Sequence, residues 1–475
     1  MKKYLFSSIF ILIWVAMTHA QWQPDLRLTV DAGESKEPVV AVSGSVLHTV
    51  WEDKGDGNWE IYYKRSADGG YNWGPDTRLT VNSAESRYPY SAVSGTNVHV
   101  VWLDSRNGNW SLYYKLSTDA GATWTNDIQL TNAGSLRYPA VSVSGSDVHI
   151  VWYDYRDGNW EIYYKGSANG GFNWGSDTRL TDQNGWSNDP SVSASGNDVH
   201  VVWSDDRDGN EEIYYKNSTD AGSYWGADTR LTNAPSNSYN PVVSVSGQVI
   251  HVVWHDYRNS GSPEIYYKRS IDGGISWSDD LRLTNNPFDS NNPSVSSSSS
   301  SVHISFSSFR DGNSEIYYKR STDDGFSWEA DTRLTSNPLG SFASSLAVSG
   351  SVVHVVWYDF RDGNTEIYYK QNPTGNPIGL ISTSLEIPSG FSLGQNFPNP
   401  FNPVTNINFA IPSSGIVKLA VFDMTGKEVA VLVNGHYSAG TYKVDYDASL
   451  LASGVYFYKL TAKDFTATKK MILIK

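Results

Sequence analysis

Seven histidines recur at a near-constant interval along the chain: His48, His99, His149, His200, His251, His303 and His354. Such a row invites a metal-site reading, since neutral imidazole is a common ligand. Each, however, falls in a separate copy of one strand pattern, and packed sheets lie about 10 Å apart while a zinc–imidazole bond is about 2 Å. Equivalent histidines cannot converge on one ion, so hydrogen-bonded structural roles are expected, with no metal and no cofactor; a bound Ca2+ is left open. A second row is cationic: Arg106, Arg156, Arg207, Arg258, Arg310 and Arg361. All but Arg310 follow an Asp two residues earlier, such as Asp154 before Arg156, which favours local ion pairs. An open ring of guanidinium groups would instead hold carboxylate or sulfate groups through forked hydrogen bonds.

Residues that break the repetition are more selective, because a ligand pocket needs a unique arrangement and a scaffold does not. Arg87-Tyr88-Pro89 and Arg137-Tyr138-Pro139 occur in two copies and nowhere else. Trp59, Trp110 and Trp160 occupy a position that becomes Glu211, Ser314 and Thr365 in later copies, and Trp186 stands alone between Gly185 and Ser187. Exposed Trp and Tyr beside Arg suit stacking on sugar rings or anchoring a protein partner. The candidate contact residues are therefore Trp59, Arg87, Tyr88, Arg106, Trp110, Arg137, Tyr138, Arg156, Trp160 and Trp186, for a glycan or an extracellular protein. No catalytic residue stands out.

A repeat of 50 to 52 residues positions them, counted along Trp51, Trp102, Trp152, Trp203, Trp254, Phe306 and Trp357. In the third copy the strand-like runs are Ala140 to Val143, Val148 to Tyr153, Glu161 to Lys165 and Thr178 to Thr181. The link Asp157-Gly158-Asn159 reads as a tight hairpin, since Gly supplies positive φ at little cost. Seven such copies predict an all-β fold, a seven-bladed β-propeller of four-stranded blades. Trp22 to Thr29 repeats Trp73 to Thr80 without strands before it, and the last copy stops after Lys370. The first segment should therefore be the outer strand of the last blade, hiding an open edge. The face carrying the second-to-third turns and the between-blade loops varies most, so function is expected there.

The link from third to fourth strand reads S-x-D-x-G-x-x-W, as in Ser66, Asp68, Gly70 and Trp73. Asp119, Asp220, Asp272 and Asp323 recur at the Asp position, and Asn169 replaces it in the third copy. These residues resemble the Asp-box, or bacterial neuraminidase repeat, of the sialidase-like propellers, in which the box is a structural clasp. The resemblance implies a working face away from the boxes. For an exo-glycoside hydrolase it also implies three Arg on a substrate carboxylate, with a Tyr and a carboxylate base. Arg87, Arg106, Arg137, Tyr88 and Glu85 would fill those places, but the family's Arg-Ile-Pro element is absent and seven blades replace six. A sialidase-like hydrolase is thus the alternative to a recognition module, and a structural surface or adhesin component is the third reading. Ser204 to Tyr214 with Arg230 to Thr232 is similar to the repeat of the periplasmic propeller in the Tol system, a likeness of fold alone.

A net charge of −14 argues against nucleic acid and anionic membrane surfaces, which need basic patches. The absence of Cys removes disulfides and thiolate sites. Residues 1–20, with Lys2 and Lys3 before an apolar run, read as a cleaved signal peptide, after which no segment should span a membrane. Residues 21–372 form the propeller and 373–391 a linker. In 392–475, Asn396-Phe397-Pro398-Asn399-Pro400-Phe401-Asn402-Pro403, Gly454-Val455-Tyr456-Phe457-Tyr458 and the closing Lys469 to Lys475 resemble the C-terminal sorting domain of type IX secretion substrates. That resemblance implies a small Ig-like β-sandwich, the secretion machinery as partner, and a secreted or outer-surface location.

Overall fold

The computed structural model describes residues 22–30, 32–132, 134–259, 261–373, 380–384, 388–402, 404–437, 439–448 and 451–474. The signal-peptide reading falls outside them. Among the described residues all regular structure is β, in four-stranded antiparallel sheets, and no helix is present. The third copy shows the plan, with strands Leu136–Ser144, Asp147–Asp154, Glu161–Ser167 and Thr178–Arg179 paired in chain order. Two local expectations need correction. The outer strand is only two residues long. The second-to-third turn is not tight: Asp154 pairs with Glu161, so six residues intervene, and Gly158 holds φ at 95° while its N–H donates to Tyr155 O at 3.1 Å.

The second strand does not alternate apolar and polar because neither of its faces meets water. Ile150 and Trp152 pack with Val101, Leu112 and Tyr114 of the preceding sheet. Val151 packs with Val199, Val201 and Trp203 of the next. Six sheets repeat this order. A seventh joins Ser341–Ser349, Val352–Asp359 and Glu366–Asn372 to Leu26–Arg27, with Leu26 opposite Tyr369.

The indole of the second strand is satisfied by the consensus itself. A buried indole N–H needs an acceptor, and Trp102 Nε1 donates to Asp104 at 3.0 Å, the residue two further on. Where Phe306 replaces Trp, Ser308 replaces Asp, so the donor and its acceptor are lost together. Each Asp-box binds its own turn and the neighbouring sheet. Thr123 N and Gly121 N donate to Asp119 and Ser117 at 2.8 Å each, while the Trp124 ring meets Tyr63 of the preceding sheet edge-on at 4.9 Å. A Cβ on Gly121 would lie 1.8 Å from that Tyr63 hydroxyl, which explains the invariant box glycine by close approach. The same Trp–Tyr contact joins Trp73 to Tyr369 of the seventh sheet at 5.1 Å. Trp22 supplies it to Tyr318 at 5.0 Å, where the seventh copy has no box of its own.

Serine hydroxyls also tie successive first strands. Ser142 accepts from Ala194 N at 3.0 Å, Ser294 from Leu346 N at 3.1 Å, and Ser345 from Val40 N at 3.2 Å, the last joining sheet seven to sheet one.

The C-terminal segment is a separate pair of four-stranded sheets around one core, in which Ile407, Phe409 and Val444 meet Leu419, Val421 and Tyr458. Within the linker expected at 373–391 lies one strand. Leu380–Ser384 is a strand paired with Gly440–Asp447, because this short apolar and β-branched run adds to an open sheet edge. The two motifs of this segment touch: Asn396 N donates to the Tyr458 hydroxyl, which donates to Gly394 O, both at 2.8 Å.

Candidate functional site

Each first strand carries a bulge, seen as a register shift such as that between Arg137 and Ala140. The residue before the following Pro, or Ser in the last copy, takes left-handed backbone: Glu37 (φ 51°), Tyr88 (54°), Tyr138 (38°), Asp189 (49°), Asn240 (49°), Asn292 (48°) and Ala343 (49°). A non-Gly residue at positive φ is uncommon, and here one occurs at the same place in every sheet. These seven bulge residues make up a rim along which two neighbouring pairs touch. Tyr88 and Tyr138 rings lie 4.9 Å apart, and Asn240 Nδ2 donates to Asn292 Oδ1 at 3.4 Å. Burial, then Tyr88, Glu37 and Asp189, push the Tyr138 hydroxyl up to about 12. Residues of sheets one to four therefore share one electrostatic environment, although they lie far apart in sequence.

Scaffold positions are identical in character from copy to copy, whereas this rim holds five residue types in seven places. Tyr138 is 47% exposed, with one face stacked on Tyr153 at 6.1 Å. Burial raises Asp189 to about 6. Burial and the Glu52 carboxylate raise Glu37 to about 7. Burial outweighs a hydrogen bond from Asn188 and lifts Glu211 to about 7. Carboxyls with such values both donate and accept hydrogen bonds near neutrality.

The candidate residues separate into two groups. Arg106 is held by Asp104 at 2.6 Å and Asp127 at 2.8 Å, and Arg156 by Asp154 and Asp177 at 2.6 and 2.7 Å. Both lie over tyrosines of the third strand and belong to the scaffold. Arg87 pairs with Glu52 at 2.7 Å and covers Trp59, which is buried at 7% exposure rather than open. Trp110 is half-buried against the core. Trp160 meets Tyr153 and Tyr155 edge-on at 5.0 and 5.2 Å, with Arg137 above it at 5.9 Å. Trp186 is 52% exposed in the loop before sheet four. Tyr88, Arg137, Tyr138 and Trp160 are thus brought together, while Arg106 and Arg156 are tied to carboxylates and Trp59 is covered by Arg87.

Glu37, Asp189, Asn240 and Asn292 were not among the sequence candidates. Their signal was present: each precedes a Pro at the start of a copy, at a position that holds five residue types in seven places. A residue before Pro normally favours extended backbone, so nothing in the pattern announced a bulge.

The seven histidines are structural. His149 Nδ1 and the Tyr164 hydroxyl are 2.8 Å apart, and burial holds the ring at about 4. Among the described residues no group of three or more His, Asp or Glu could hold a metal ion.

Residues 395–475 match the family described as the secretion system C-terminal sorting domain. The tail is a sorting domain. It directs export through the type IX secretion system to the cell surface or beyond, and no helix among the described residues is long and apolar enough to cross a membrane. Among solved structures, the phage phi92 endosialidase is 12% identical, covering 86% of this chain and 79% of its own, with a TM-score of 0.46. Trypanosoma rangeli sialidase is 10% identical over 92% of this chain and 84% of its own at 0.41. The polysaccharide lyase Uly1 is 9% identical over 71% and 90% at 0.48. No curated protein matches the chain.

Proposed function

We propose that this protein is an exported recognition module. Its seven sheets form a closed β-propeller sealed by the N-terminal strand, and it binds glycans, or a protein surface, at the inner rim opposite the Asp-boxes. The Ig-like tail delivers it to the type IX secretion machinery. Pairing of Leu26 with Tyr369, the Ser345–Val40 bond and the Trp73–Tyr369 contact support the closed ring. The observation that carries the function is the rim itself: one repeated backbone device presents Glu, Tyr, Tyr, Asp, Asn, Asn and Ala. A glycan is favoured over a protein because an open tyrosine ring stands beside carboxyl and amide groups, the pairing that suits a sugar's apolar face and its hydroxyls.

A hydrolytic reading has one specific observation behind it, the two carboxyls, Glu37 and Asp189, raised toward neutrality at the same rim. A glycan array probed with the full chain tests recognition, with Tyr138→Asn as control because Asn tolerates left-handed backbone. Binding lost in the variant supports the rim; binding unchanged removes it. Turnover of aryl glycosides or sialyl-lactose that disappears in Asp189→Asn would replace recognition by catalysis.

A further inference from the structure

Sheet three differs from the other six in what it places between its bulge and its second-to-third turn. Four positions are aromatic together in the third copy alone: the bulge residue Tyr138, then Tyr153 and Tyr155 after the buried Trp, and Trp160 before the third strand. The fourth copy carries Asp189, Ser204, Asp206 and Glu211 at the same positions, with no aromatic residue among them.

The rings of sheet three form one connected run. Tyr138 stacks on Tyr153 at 6.1 Å, Tyr153 meets Trp160 edge-on at 5.0 Å, and Trp160 meets Tyr155 edge-on at 5.2 Å. Tyr153 is buried and backs the run. Its two open members stand at opposite ends: Tyr138, exposed as above, and Tyr155, 43% exposed. Aromatic rings also meet in sheets five and seven, Tyr239 with Tyr257 and Phe342 with Phe360, but all four of those are half-buried.

The first strand of sheet four packs against sheet three, with Val192 in one cluster with Tyr153 and Ile162. It brings a polar side to the run. Asp206 accepts from Trp186 N at 2.6 Å and Glu211 from Asn188 Nδ2 at 3.2 Å. The Asp189 carboxylate makes no hydrogen bond or ion pair among the described residues, and neither of its oxygens is closed off from solvent.

We infer that this run is the bed of a linear polysaccharide held along its length: one sugar ring lies on Tyr138 with a hydroxyl on Asp189, and a further ring of the same chain lies on Tyr155. This inference rests on the glycan reading above. A single pyranose covers one tyrosine, so two open tyrosines at the ends of one supported run fit a ligand of several linked rings. Both are braced by neighbouring rings before a ligand arrives, which lowers the ordering cost of binding. Sugar hydroxyls donate to the carboxylate that has no other partner.

The test is titration calorimetry on the full chain with the disaccharide and the hexasaccharide of cellulose, xylan, mannan and galactan, and with sialyl-lactose as a short acidic probe. At least one hexasaccharide should bind, at least tenfold more tightly than its own disaccharide. Tyr155→Ala should weaken that hexasaccharide at least fivefold and flatten the dependence on length, and Asp189→Asn should weaken it about fivefold. Tyr257→Ala, at the matching turn position of sheet five, should leave it unchanged, and thermal unfolding should be unaltered in all three variants. Equal affinity for disaccharide and hexasaccharide, tighter binding of sialyl-lactose than of any hexasaccharide, or indifference to Tyr155→Ala overturns this inference while leaving glycan recognition standing. Binding of none of the probes overturns the glycan reading itself.

Discussion

The row of buried histidines makes the propeller sensitive to acid in a way that one substitution can isolate. His149 is 1% exposed; its Nδ1 shares a hydrogen bond with Tyr164, and its Nε2 has no partner among the described residues. A second ring proton would have no acceptor, and burial accordingly holds the group at about 4. In the unfolded chain the ring returns to about 6.5. The folded state thus binds fewer protons, and the stability this confers is full above the unfolded value and lost as pH falls from about 6.5 toward 4. At pH 5 the loss from one such histidine is about 2 kcal/mol. Rim carboxyls raised by burial act with the opposite sign, gaining stability on acidification, so the wild-type curve alone mixes the two. The difference between wild type and His149→Gln does not. Denaturant midpoints followed by Trp fluorescence should show the variant less stable at pH 7.5, where the Tyr164 bond is impaired. Relative to that value it should gain about 2 kcal/mol on the wild type by pH 5. A difference that stays constant from pH 7.5 to 5 would refute the claim that the ring is neutral because it is buried.

Three further substitutions probe the scaffold. Trp152→Ala removes a fully buried side chain and should cost about 3–5 kcal/mol in chemical denaturation. Trp22→Ala deletes the aromatic contact that stands in for a seventh box; it should cost about 3 kcal/mol and produce aggregation on size-exclusion chromatography, whereas wild-type behaviour would show that the N-terminal strand does not seal the ring. Phe306→Trp introduces an indole N–H opposite Ser308 and should destabilise by about 1–3 kcal/mol. Adding Ser308→Asp should recover most of that, and a double-mutant cycle without coupling would separate the Trp from its Asp.

The fold was legible because its largest energetic terms repeat. A buried Trp with its indole acceptor recurs in six of the seven copies and a box in all but the last, and that period leaves little choice of architecture. The reach of the box across to its neighbour was not legible, since the partner tyrosine sits in another copy: Trp124 contacts Tyr63, and no local spacing links them. The site was legible in half. Departures from the repeat pointed to Tyr88, Tyr138 and Arg137, which do meet at the rim. They pointed equally to Trp59, because an aromatic residue that varies among copies looks the same whether Arg87 and two lysines cover it or solvent does. Glu37 and Asp189 escaped because their significance lies in a backbone conformation that the following Pro argues against.

Consensus and function divide the charged residues between them for an energetic reason. A buried carboxylate such as Glu161, fully inaccessible, is tolerable only because Arg179 reaches it. Removing one partner from a pair of this kind leaves a buried charge unmatched, so repeat charges are committed to the fold and unavailable to a ligand. An active or binding surface must then be built where the repeat imposes a backbone shape without imposing a side chain. The first-strand bulge meets that condition in each of the seven repeat sheets, since the left-handed backbone recurs there while the residue type changes. If the rim binds as proposed, a change of ligand would require substitution at only a few of its positions, with no cost to the Trp, box or ion-pair interactions between sheets.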